Sequence, residues 1–145
     1  MPAQDPRSAP VNTVTMLGPA YSLLGFKIVD GVVGAGFAQK PSHSAVFAQI
    51  KMEGSRLTEL ARGANMTPQA MGELVDELEE MEYVERRPDP SDRRAKLIVL
   101  TPKGRSCVVA GVATIEGIET QIRHVLGEAG HRRLRELLER LIAAG

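Results

Sequence analysis

Two Thr-Pro dipeptides lie within the most constrained stretch of this chain, residues 55–104. A threonine hydroxyl accepts one of the orphan N–H groups at a helix start, and a proline in the first turn has no N–H to leave unpaired. Thr67-Pro68 and Thr101-Pro102 therefore each predict the beginning of a helix. After the first, Met71, Leu74, Val75, Leu78 and Met81 recur at helical spacing as an apolar stripe. Ahead of it, residues 57–63 predict a short helix capped by Thr58, with Leu57, Leu60 and Ala61 inward, and Ala64-Asn65-Met66 predict a turn. Two helices separated by so short a turn have helix-turn-helix spacing.

The next residues change period. Residues 83–87 (YVERR) and 96–100 (KLIVL) are short runs rich in β-branched residues. Between them PDPSDRRA combines two prolines with Asp and Ser turn formers, so the segment predicts a hairpin with a long basic tip carrying Arg93 and Arg94. Such a tip can reach phosphates or a narrow minor groove, with Asp92 pinning one arginine so that the other is aimed.

Opposite the apolar stripe lie Gln69, Ala70, Gly72, Glu73 and Asp76, the first four in the turns of a helix that can meet base edges in a major groove. Gln can pair with adenine, Glu can accept from cytosine and Ala can touch a thymine methyl. The simpler alternative is a solvated face, which is the reading for residues 77–82.

The flanking segments are helical and apolar. Residues 17–39 predict a helix with Pro19 in its first turn, packed and buried despite four glycines and its two charges, Lys27 and Asp30. A membrane span is disfavoured by those mid-segment charges, and a dinucleotide loop by glycine spacing. Residues 41–52 predict a second helix capped by Ser42, with Val46, Phe47 and Ile50 on one face and His43 as an exposed polar residue. A long helix follows Pro102 to about Leu126, broken by Gly127. A last one places Leu134, Leu137, Leu138 and Leu141 on one side. These faces exceed what one small domain can cover, which predicts a dimer built from both ends of the chain.

Charge qualifies the picture. The chain is neutral overall, yet residues 86–105 hold seven basic side chains against two acids, while residues 73–82 hold six acids and no base. The lone Cys107 excludes an internal disulfide and reads as inert. No nucleophile with a base and no metal constellation stands at workable spacing, so neither an enzyme nor a cofactor is expected. The polar, proline-rich residues 1–13 read as a disordered arm rather than a leader, and a cytoplasmic location is expected.

The run LTELARGANMTPQAMGELVDELEEMEYVERRPDPSDRRAKLIVLTPKG resembles the winged helix-turn-helix core of the MarR family of bacterial transcription regulators. The resemblance includes the wing signature, here Asp92-Arg93-Arg94 followed after a strand by Leu100-Thr101-Pro102-Lys103-Gly104. It implies a mainly α fold with a small β-hairpin wing, helical dimerisation regions from both termini (residues 14–54 and 102–145) and a DNA-binding unit at 55–101. It further implies a homodimer that represses from a near-palindromic site and is released by a small aromatic or phenolic effector. Carried over to this chain, the DNA contacts are Thr67, Pro68, Gln69, Ala70, Gly72 and Glu73 on the recognition helix and Asp92, Arg93 and Arg94 on the wing. Many members carry a basic residue where this chain has Glu73, and none of the reactive cysteines of peroxide-sensing members stands in the first helix here. The competing expectation is a winged-helix protein-interaction module with no DNA target.

Overall fold

The computed structural model describes residues 11–145. The arm read over residues 1–13 falls outside them except for Val11 and Asn12, which precede the first helix, and Thr13, which opens it. The order is α1 (Thr13–Gly34), a 3-10 turn (Pro41–His43) running into α2 (Ser44–Phe47), α3 (Leu57–Gly63), α4 (Pro68–Glu80), β1 (Val84–Asp89), β2 (Asp92–Leu100) and α5 (Pro102–Ala144). This is the mainly helical winged architecture expected.

Helix α1 begins earlier than its proline suggested. Asn12 and Thr15 form a capping box, with the Thr15 N–H donating to Asn12 Oδ1 at 3.0 Å, so Pro19 lies inside the helix rather than in its first turn. Nor is α1 buried as a whole. Only Val29 and Val32 are enclosed, while Tyr21, Leu23 and Phe26 are exposed. Its C-terminal half rests on α5, where Lys27 Nζ donates to Gln121 Oε1 at 3.0 Å. A Cβ on Gly31 would overlap the Thr114 side chain, so the glycine permits this close approach. By length and composition α1 could cross a membrane, and it is the one such helix among the described residues.

The second predicted helix shrinks to Pro41–Phe47, and Ser42 does not cap it. His43 is buried rather than exposed. Its Nδ1 accepts from the Lys40 N–H at 3.2 Å, which leaves Nε2 to donate to Glu77 Oε2 at 2.8 Å. Helix α3 has the predicted bounds but another cap: Glu59 Oε2 accepts from the Arg56 N–H at 3.1 Å, while Thr58 sits within the helix. Asn65 takes the left-handed conformation (φ 53°) that turns the chain into α4. Both Thr-Pro starts form as read, Thr67 Oγ1 accepting from the Ala70 N–H and Thr101 Oγ1 from the Gly104 N–H.

The core gathers Val46, Leu60, Met71, Val75, Leu78, Tyr83, Val84, Ile98 and Leu100, so the apolar stripe of α4 faces inward as its spacing required. Tyr83 ties the layers together. Its hydroxyl donates to the Ala38 carbonyl at 2.7 Å, its ring meets Phe47 edge-on with centroids 5.7 Å apart, and Lys103 Nζ lies 4.5 Å from its centroid. Strands β1 and β2 pair antiparallel from Val84↔Leu100 to Pro88↔Lys96. A bridge between Ser55 and Ile98 adds a third extended segment along β2.

Helix α5 is two helices joined at Gly127, whose φ of 72° and ψ of 166° break the helical path. His131, buried beyond the break, bonds Glu119 at 2.6 Å and fastens the terminal segment back onto the long one. Val109, Val112 and Ile115 before the break, and Leu134, Leu137 and Leu141 after it, remain exposed.

Candidate nucleic-acid interface and effector cleft

Helix α4 presents its first two turns outward because its stripe is committed to the core. Gln69, Glu73 and Asp76 are exposed, whereas Ala70 and Gly72 are only half-exposed. A Cβ on Gly72 would lie 3.8 Å from Leu57, so this position borders α3 rather than pointing freely away. Thr67 and Pro68, both exposed, hold the N-terminal turn.

The wing is better built than a long loop. Pro88, Asp89 and residues 92–95 belong to the strands, leaving Pro90-Ser91 as the turn. The register slips between Pro88 and Asp89, which makes room for the Arg93-Arg94-Ala95 segment on β2. Both arginines are exposed and, among the described residues, neither enters an ion pair. Asp92 does not pin either side chain: its Oδ1 accepts from the Arg94 backbone N–H at 3.0 Å.

The anchor is Asp89, which the sequence offered only as a turn former. Buried at the wing's end, it accepts from the Ser91 hydroxyl at 2.7 Å and from the Ser91 N–H at 2.8 Å. It also accepts from Arg56 Nε at 2.8 Å, across from α3. The Ser91 hydroxyl and N–H, with the Arg56 guanidinium, hold its carboxyl down at about 2. The turn is thereby tied to the body of the domain.

A second set of pairs accounts for the acidic face of α4. Arg86 on β1 bonds Asp76 at 2.7 Å and also pairs with Glu79, joining wing to recognition helix. Glu77 receives Lys40 Nζ at 2.8 Å and His43, and these hydrogen bonds hold its carboxyl below the usual range. Of the six acids in residues 73–82, Asp76, Glu77 and Glu79 are thus partners of this chain's own bases, the last two within the run 77–82 expected to be a solvated face. The spacing of Glu77 and Glu79 gave no sign of this, because those bases come from the α1–α2 connection and from β1.

A cleft of about 660 Å³ opens between α1, the turn into α2, the end of α3 and the first half of α5. Leu24, Ile28, Phe47, Val108, Val112 and Ile115 contribute its apolar walls. Cys107 also lines it, and burial pushes that thiol up to about 11, away from the thiolate that redox chemistry needs. Gln39, Pro41, Ser42 and Ser44 line the cleft, and the intervening Lys40 and His43 grip Glu77, so one short segment connects the cleft to α4.

Comparison with known proteins places this geometry. Residues 51–96 match the model of the MarR family. The chain is 31% identical over 83 residues to the HTH-type transcriptional repressor Rv2887 of Mycobacterium tuberculosis, a match covering 57% of this chain and 60% of that protein. The crystal structure of Rv2887 in complex with salicylic acid superposes with a TM-score of 0.68 at 22% identity, covering 92% of this chain and 98% of that one. A probable transcriptional regulator from Pseudomonas aeruginosa gives 0.73 at 24% identity, covering 90% and 96%. CouR from Rhodococcus jostii RHA1, bound to p-coumaroyl-CoA, gives 0.72 at 24%, covering 90% and 91%. The fold is shared along nearly the whole chain, and the sequence likeness to the MarR family centres on residues 51–96, the wing and the helices before it, while the chain spans about 60% of the length of the curated repressors it matches.

Proposed function

We propose that this protein is a sequence-specific DNA-binding regulator, acting as a homodimeric repressor at a near-palindromic operator and released by a small molecule. The observation that carries the reading is the pairing of an outward-facing α4 start with a wing whose Arg93 and Arg94 have no acidic partner among the described residues. In this reading Thr67, Pro68, Gln69, Ala70, Gly72 and Glu73 enter the major groove. Arg93 and Arg94 meet phosphate or the adjacent minor groove, and Asp92 shapes the strand that carries them.

The rival, an interaction module without a DNA target, rested on zero net charge and an acidic recognition helix. That motive is weakened by the engagement of Asp76, Glu77 and Glu79 with Arg86, Lys40 and His43, which removes much of the repulsion a phosphate backbone would meet.

Release follows from geometry. Two α4 helices of a dimer must sit one turn of duplex apart, roughly 34 Å, to engage both half-sites. A ligand in the cleft would press on the 39–45 segment and, through Glu77, tilt α4. Selection from random duplex DNA on the purified full chain tests the reading. Recovery of an inverted repeat is the expected result, and enriched pools without one, or binding independent of salt, would overturn it.

A further inference from the structure

Past the buried Val84, strand β1 runs out of the core, and residues 85–88 are partly or fully exposed. Among the described residues, every hydrogen bond and ion pair between the β1–β2 hairpin and α4 comes from Arg86. Its Nη2 donates to Asp76 Oδ1 at 2.7 Å, its Nη1 to Glu79 Oε2, and its backbone N–H to Glu79 Oε1 at 3.1 Å. Asp76 and Glu79 stand three residues apart, so the guanidinium holds two successive points on one face of α4. A single contact lets a strand pivot about a helix, whereas two points along the helix fix its rotation as well as its distance. Stability is a weak reason for the arrangement. The Asp76 side chain is 65% exposed and that of Glu79 40%, and pairs so exposed contribute little to folding. What the fork joins are the two elements that have to reach DNA together, α4 with Gln69 and Glu73 and the hairpin with Arg93 and Arg94.

Resting on the regulator reading above, we propose that Arg86 is the positioning residue of the DNA interface. It sets the angle between α4 and the wing, so that major-groove and minor-groove contacts form together, and it touches no DNA itself. Its guanidinium is committed to two carboxylates, and a hairpin already held in the binding geometry loses less freedom when it meets the duplex. Lysine keeps the charge but lacks the planar fork, so Arg86→Lys separates positioning from neutralisation of Asp76 and Glu79.

Equilibrium binding of the full chain to its selected duplex over a salt series tests this. Arg86→Lys and Arg86→Gln are each expected to weaken binding about tenfold, while the slope of log affinity against log salt and the selected repeat stay as in the unaltered chain. Glu79→Gln is expected to add no further loss to Arg86→Gln, because the arginine acts through that carboxylate. Nitroxides on Gln69→Cys and Arg93→Cys, in labelled chains diluted with unlabelled protein and without DNA, should show a broader distance distribution once Arg86→Gln is added. The proposal is overturned by full affinity in Arg86→Lys, by a salt slope lowered by about one unit, which marks a phosphate contact, or by an unchanged distance distribution. Affinities are referred to the folded fraction from each variant's urea curve, and should Arg86→Gln fold poorly, Arg86→Lys decides alone. Absence of duplex binding by the unaltered chain sinks the regulator reading and this role with it, whereas binding that Arg86→Lys leaves intact sinks the positioning role only.

Discussion

Gly104, the last residue of the Leu-Thr-Pro-Lys-Gly run, has a steric reason to be glycine. A Cβ there would overlap the Tyr83 carbonyl oxygen, which is itself held by the Thr101 N–H at 3.0 Å. Gly104→Ala is expected to push the start of α5 off the α4–β1 turn and cost about 1–3 kcal/mol, read as a lower urea midpoint. An unchanged midpoint would show that the contact relaxes freely. Asp89 gives a prediction in pH. Its folded-state carboxyl titrates at about 2, below the ordinary value of 3.8, so the stability it contributes is present above about pH 4 and is lost as pH falls toward 2. Asp89→Asn should flatten that acid limb in thermal melts recorded between pH 5 and 2, and an identical limb in the variant would remove Asp89 from the account.

At the scale of elements, α4 and the wing act as one unit because Arg86 binds Asp76 and Glu79 while Arg56 binds Asp89. The exposed arginines of β2 are thereby carried on a braced hairpin rather than on a free loop. Arg94→Ala is expected to weaken duplex binding about evenly across sequences and to reduce the salt slope by about one unit. Glu73→Ala, on the exposed face of α4, is expected to change which duplexes are selected with a smaller effect on affinity. Parallel titrations over a salt series check the first and repeated selection the second; unchanged binding in both variants would refute the placement of the interface.

For the whole molecule, the exposed apolar faces of α1 and α5 are the dominant unexplained surface of the single chain. Val14, Tyr21, Phe26, Val109, Val125 and Ile142 are each at least 60% exposed. A second copy of the chain covers such faces in the proposed function, and the terminal leucines then become interface core. Leu137→Asp combined with Leu141→Asp is expected to give a monomer by sedimentation while the winged domain keeps its melt. Cooperative binding to a two-half-site duplex would then be lost. A doubly substituted chain that still sediments as a dimer would place the contact elsewhere.

The sequence by itself determined the elements that rest on local chemistry. Thr-Pro caps, the α4 stripe and the Gly127 break are each decided within a few residues, and each forms where it was read. It could not supply what depends on contacts between distant segments. The cap of α3 came from Glu59, His43 was drawn inward by Glu77, and the hairpin closed to a two-residue turn because Asp89 found Arg56 and Ser91. The cleft was equally invisible, since its walls come from α1, α2, α3 and α5. Periodicity and capping act over one or two helical turns and are written along the chain, whereas ion pairing and cavity shape require the fold to bring residues tens of positions apart within a few ångströms.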